Sequence, residues 1–226
     1  MLEPRLERID PQEVLRYLGC RDAAPPELVQ AVDAGIAELT AAARPRLTYR
    51  VFPVSEGQLA GSGLTLEGQD IQRHLSGCRE AVVMAATLGA EVETLLLRSQ
   101  VRDLARSLVL DSAASAAIEN VCDCLEADLR REYEVKGLFL TDRYSPGYGD
   151  LPLSLQGPLC EALDTRRRMG LTVSASGILI PRKSVTAILG AADTPRKRRS
   201  AGCENCAFRD RCAAGLCPAP ARDSAP

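Results

Sequence analysis

Apolar positions along this chain follow two rhythms, one near every third or fourth residue and one on every second. Asp10-Pro11-Gln12-Glu13 opens a helix, with Asp at the N-cap, Pro at the first helical position and Glu placed for a capping box. Val14, Leu15 and Leu18 form its apolar stripe, and Gly19 suits its C-terminal cap. Leu28, Val29, Val32, Ile36 and Leu39 predict a second helix over about 26–43. Leu47, Tyr49 and Val51 alternate with polar neighbours, which predicts a strand with one buried face. A short strand is expected at Leu64-Thr65-Leu66, then one or two helical turns through Asp70 and Leu75. The unbroken apolar run 81–87 predicts a central strand, and Leu88-Gly89 turns it into a helix carrying Val92, Leu95 and Leu96.

The longest periodic stretch follows. Val101, Leu104, Leu108, Ser115, Ile118, Cys122, Leu125 and Leu129 lie three, four or seven apart, describing one seam on a long helix. Its middle, Ser112-Ala113-Ala114-Ser115-Ala116-Ala117, is nearly all small and admits a close neighbour. Glu119, just beyond, reads on helix pattern alone as a solvated glutamate. A helix is expected over 156–169, closed by Gly170, then extended segments at 171–175 and 177–181 and a last strand through Val185, Ala187 and Leu189. Strands come singly and in pairs between helices with no βαβ rhythm. The expected class is α+β, a mixed, mainly antiparallel twisted sheet packed with helices around one long central helix. The divisions expected are an N-terminal helical segment (1–45) forming one globular unit with 46–192, a basic linker (193–202), a four-cysteine motif (203–217) and a disordered tail (218–226).

Composition narrows the function. A net charge of −2 over 226 residues argues against nucleic acid as a main partner, since phosphate binding leaves a strongly basic signature. No apolar run approaches the ~20 residues that span a bilayer, and the first residues lack a signal-peptide pattern, so a cytoplasmic protein without a membrane role is expected. The single histidine, His74, excludes multi-histidine metal sites and reads as a surface or capping residue. No Walker loop, dinucleotide fingerprint, serine elbow or zinc-protease helix is present. These residues suit a ligand-presenting or docking protein better than a self-sufficient enzyme.

One stretch is overbuilt for a turn. Thr141-Asp142-Arg143-Tyr144-Ser145-Pro146-Gly147-Tyr148-Gly149-Asp150-Leu151-Pro152 carries two phenols, two glycines and two prolines, whereas reversing the chain takes about four residues. A shaped, ligand-facing loop is expected.

That loop, with Gly170-Leu171-Thr172-Val173-Ser174-Ala175-Ser176 and Pro181-Arg182-Lys183-Ser184-Val185-Thr186-Ala187, resembles the activation domain of cobalamin-dependent methionine synthase. With Ala86-Thr87-Leu88-Gly89 and Leu110-Asp111-Ser112-Ala113-Ala114 added, it is similar to the free-standing activation subunit, over about residues 9–192. The resemblance implies S-adenosylmethionine binding and repair of oxidised cob(II)alamin on a partner, a cobalamin-binding methionine synthase or another corrinoid protein, with a flavodoxin-like electron donor. It places the ligand's carboxylate on Arg143, whose guanidinium fork suits a bidentate grip. Ser145 falls on a backbone contact, Tyr148 on the meeting place of ligand and cobalamin, and Glu119 on an acidic ligand contact, while Gly147 lies within the same ligand-binding element. The family's acidic residue in the later motif is replaced here by Ala175, and the motifs assign no residue to its N-terminal aspartate.

Four further cysteines form a separate pattern. Cys203, Cys206, Cys212 and Cys217 supply enough thiolates for a tetrahedral zinc site or a 4Fe-4S cluster, and the spacing does not decide between these and free thiols. The leading expectation is an accessory reactivation subunit. The alternative is a docking or electron-relay module for another corrinoid methyl-transfer protein, without S-adenosylmethionine binding.

Overall fold

The computed structural model describes residues 3–20 and 23–195. The four-cysteine motif, most of the basic linker and the expected tail therefore lie outside the described residues. Five strands make one antiparallel sheet in the order β2-β1-β3-β7-β4: β1 (Arg46–Ser55), β2 (Gln58–Leu59), β3 (Cys78–Thr87), β4 (Phe139–Leu140) and β7 (Ser184–Ala192). β5 (Thr172–Val173) and β6 (Leu179–Ile180) form a separate hairpin. The α+β class expected from the sequence is what the chain adopts.

The sheet is buried on both faces because β3 is apolar on both. Val82, Met84 and Ala86 face a helical layer made of α1 (Pro11–Tyr17), α2 (Pro26–Ala42), α4 (Ala90–Arg102) and α5 (Leu104–Val135). Ala81, Val83 and Ala85 point the other way, as alternation requires, into a second core with α3 (Gln69–Leu75), α6 (Gln156–Leu163) and α7 (Thr165–Met169). α5 is the spine of the first layer. Its alanines 113, 114 and 117 are fully buried, so α1 and α2 pack close against it, and a Cβ on Gly35 of α2 would stand 2.7 Å from Val109. No helix among the described residues is long and apolar enough to cross a membrane.

Several local expectations are corrected. The seam on the long helix is interrupted: Asp103 is extended and caps α5 by accepting from Arg106 N at 3.1 Å. Val101, Leu104 and Leu108 therefore lie exposed, and the seam enters the core only from Ile118 onward. Val29 is likewise on the outer side of α2. In β1 the deeply buried side chains are Thr48 and Phe52; the helical layer covers Leu47 and Tyr49 in part and stops short of Val51.

Leu64 and Leu66 are buried without forming a strand. The Gln58 amide takes the place of a pairing strand, accepting from Leu66 N at 2.8 Å and donating to Leu66 O at 3.0 Å. The capping box at Asp10 is half made: Asp10 accepts from Gln12 N at 2.9 Å, but Glu13 turns to Arg16. Gly19 closes α1 in a Schellman motif, with Cys20 N bonded to Leu15 O. The single helix expected over 156–169 is two, split where Asp164 adopts the left-handed conformation that Asp tolerates. Between β5 and β6 the chain reverses, with Ser174 N bonded to Ile178 O at 2.8 Å, so Ala175 belongs to a turn and not to a strand.

Candidate ligand cleft

The overbuilt loop is fixed at both ends. At its start Thr141 joins β7, with Thr141 N donating to Gly190 O and Gly190 N donating to the Thr141 hydroxyl, both at 2.8 Å. Tyr144 extends this pairing by exchanging backbone hydrogen bonds with Ile188. His74 of α3 lies 2.8 Å from the same Thr141 hydroxyl and stacks tilted on Tyr144, ring centroids 5.1 Å apart. The histidine is thus a half-buried clasp on the loop, not a surface or capping residue. The contact joins residues far apart in sequence, brought together by the placement of α3.

At the far end, Asp150 caps a helix that is not its own. Its two carboxylate oxygens accept from Gln69 N at 2.6 Å and Asp70 N at 3.0 Å, satisfying the first donors of α3. Between the two anchors the backbone folds on itself, with Gly147 N bonded to Leu151 O and Tyr144 Oη donating to Tyr148 O. Gly149 has φ +53°, and a Cβ there would collide with the Tyr144 hydroxyl and Asp70. The glycine is therefore required on both conformational and steric grounds.

This scaffold aims Arg143 across at α5, where an acidic ladder receives it. Arg143 Nη2 donates to Glu119 at 2.9 Å and Asp123 at 2.7 Å, and Nη1 donates to Glu126 at 2.8 Å. The three acids sit four and three residues apart and so share one helix face. Glu126 is further held by Arg130, whose guanidinium also donates to the carbonyls of Leu140 and Thr141 at the start of the loop. Burial works against the Arg143 charge, but Cys122 and the carboxylates of Asp123, Glu126 and Glu119 outweigh it and hold the guanidinium above its usual range. Beneath it, burial pushes the Cys122 thiol up to about 12.

Two hollows meet at this ion cluster. The larger, about 960 Å³, runs along α5 to the loop and is lined by Glu126, Arg130, Asp142, Ser145 and Tyr148. The smaller, about 340 Å³, lies toward α1, with Asp10, Arg16, Tyr17 and Asn120 in its walls. Glu119, Asp123 and Arg143 line both. Segment 3–10 reaches this place as a strap on α5, fastened by Glu7 N to Asn120 at 3.0 Å and Arg5 to Asp128 at 2.8 Å. Of the residues singled out from sequence, Arg143, Glu119, Ser145 and Tyr148 come together here. Gly147 supports the loop without lining either hollow. Asp10, Tyr17, Asp123 and Glu126 were not foreseen, since acids at helical spacing and a phenol at a helix end read equally as solvated faces. Among the described residues no group of three or more histidine, cysteine, aspartate or glutamate side chains is arranged to hold a metal ion.

No protein-family model and no curated protein matches the chain. Its fold is similar to a solved structure of the MetH reactivation domain bound to AdoHcy, with a TM-score of 0.59 and 14% identity over 89% of this chain and 84% of that one. The likeness is one of fold.

Proposed function

We propose that the chain is a reactivation subunit for a cobalamin-dependent methionine synthase, binding S-adenosylmethionine in the cleft between α5 and the loop 141–152. The observation that carries the reading is Arg143: an anchored, mostly buried guanidinium at the junction of two open hollows, in a fold shared with an AdoHcy-bound domain. A guanidinium so placed offers the fork that a methionyl carboxylate takes up. Glu119 faces both hollows and is able to accept from the ligand's amino or hydroxyl groups. Tyr148, exposed at the loop crest, presents a π face that suits a sulfonium.

In this proposal the partner carries the cobalamin. Cobalamin held there would accept the methyl group of S-adenosylmethionine, with one electron supplied by a flavodoxin-type donor and S-adenosylhomocysteine as the leaving product. The cofactor supplies the nucleophile, and this chain binds and orients the methyl donor. For the four C-terminal cysteines, which lie outside the described residues, a zinc site, a 4Fe-4S cluster and free thiols remain the alternatives.

Calorimetric titration with S-adenosylmethionine and S-adenosylhomocysteine tests the reading, with Arg143→Ala as control. Saturable binding lost in the variant is expected. An absence of binding at millimolar ligand, alone and with a cobalamin-carrying partner, would leave the docking-module alternative.

A further inference from the structure

The hydrogen bonds around Arg143 raise a question of competition. Its Nη2 group already gives its two protons to Glu119 and Asp123, and Nη1 serves Glu126. A ligand carboxylate seeking the bidentate fork must therefore replace a carboxylate of the protein. The three acids are not equally replaceable.

Glu126 has only 13% of its side chain exposed and spends its other oxygen on Arg130. Glu119 is 46% exposed. Asp123 is 65% exposed. An acid that swings into water regains its hydration in proportion to its access to solvent, so the most exposed partner is displaced at least cost. Asp123 also borders both hollows, and withdrawing it opens Nη2 toward the place where they join.

We infer that Asp123 is the exchangeable partner of Arg143, the side chain that a ligand carboxylate displaces, and that it sets the affinity of the cleft for carboxylate-bearing ligands. The inference rests on the reading of this cleft as the S-adenosylmethionine site and adds a specificity-determining residue to it. Glu126 keeps the guanidinium aimed during the exchange, because it holds Nη1 and is itself fixed by Arg130. The two roles are distinct: one acid positions the cation and the other stands in for the ligand.

The unusual consequence is a gain on removing an acid. Asp123→Asn keeps the shape and leaves the fold undisturbed at so exposed a position, but removes the competing charge. Titration with S-adenosylhomocysteine should show binding about two- to fivefold tighter in Asp123→Asn than in the parent chain, the range of an exposed ion pair. 5′-Methylthioadenosine, which lacks the carboxylate, is the second probe. Its binding should be equal in the two proteins, or absent in both.

Equal or weaker binding of S-adenosylhomocysteine by the variant would overturn the inference while leaving the ligand reading intact. So would an equal tightening of both probes, which would mark a general field effect and not an exchange at Arg143. Binding of S-adenosylhomocysteine by neither protein at millimolar ligand, alone and with a cobalamin-carrying partner, would defeat the ligand reading itself, and this inference with it.

Discussion

Arg143 and Arg130 grip the same carboxylate from opposite sides: Glu126 Oε2 accepts from Arg143 at 2.8 Å, and Oε1 accepts from Arg130 at 2.9 and 2.6 Å. Because Arg130 also holds the carbonyls of Leu140 and Thr141, Glu126 couples the aim of Arg143 to the position of the loop.

Glu126→Ala is therefore expected to leave two poorly solvated guanidinium groups without their shared partner. Removing one side of such a charged hydrogen-bonded pair costs roughly 2–3 kcal/mol. Chemical denaturation should show a lower midpoint with unchanged slope. A loss below about 0.5 kcal/mol, a third of one charged hydrogen bond, would mean that the bridge contributes nothing to stability.

The latch at the other end of the loop is separable. Asp150→Ala removes the cap of α3 and should cost about 1 kcal/mol of stability. It should also raise amide exchange in residues 147–151, whose backbone hydrogen bonds depend on that anchor. Exchange unchanged in the loop despite lower stability would show that the cap serves α3 alone.

Packing along α5 leaves little room. Ala117 is fully buried where the helical layer meets the sheet. Ala117→Leu should destabilise the chain by about 1–3 kcal/mol through overpacking, read as a fall in melting temperature. A neutral substitution would reveal space that the packing does not show.

Alkaline stability follows from Cys122. Burial raises its folded value to about 12 from 9.0, because the thiolate is poorly solvated there. Below pH 9 both folded and unfolded chains hold the proton, and the contribution to stability is whole. Between pH 9 and 12 the unfolded chain releases it first, so stability falls as pH rises, by about 1.4 kcal/mol per pH unit for this one group. Urea unfolding at pH 8.0 and pH 10.5 (round conditions either side of the unfolded thiol's ordinary pKa of about 9) should give a smaller alkaline loss for Cys122→Ala than for the parent. Parallel losses would contradict the assignment.

Much of this architecture is legible in the residues. The run 81–87 announces a strand buried on both faces, and the prolines and glycines of 146–152 announce a shaped loop. What is not legible is pairing across distance. Asp103 looks like one more polar residue in a seam until its backbone is seen to break the helix and cap the next one. Gln58 gives no sign that its amide will replace a strand beside Leu66. Asp150, Asp123 and Glu126 are ordinary acids in sequence, and become a cap, a competitor and a bridge only because the fold sets them against α3 and Arg143. Local periodicity reports burial; it is silent about which distant charge will arrive.

The central claim is that Arg143 holds the carboxylate of S-adenosylmethionine, and one titration addresses it. The parent chain should bind S-adenosylmethionine saturably, and Arg143→Ala should lose at least tenfold in affinity, the loss of about 1.4 kcal/mol or more expected for a charged hydrogen-bonded contact. Equal affinity in the parent and the variant would contradict it.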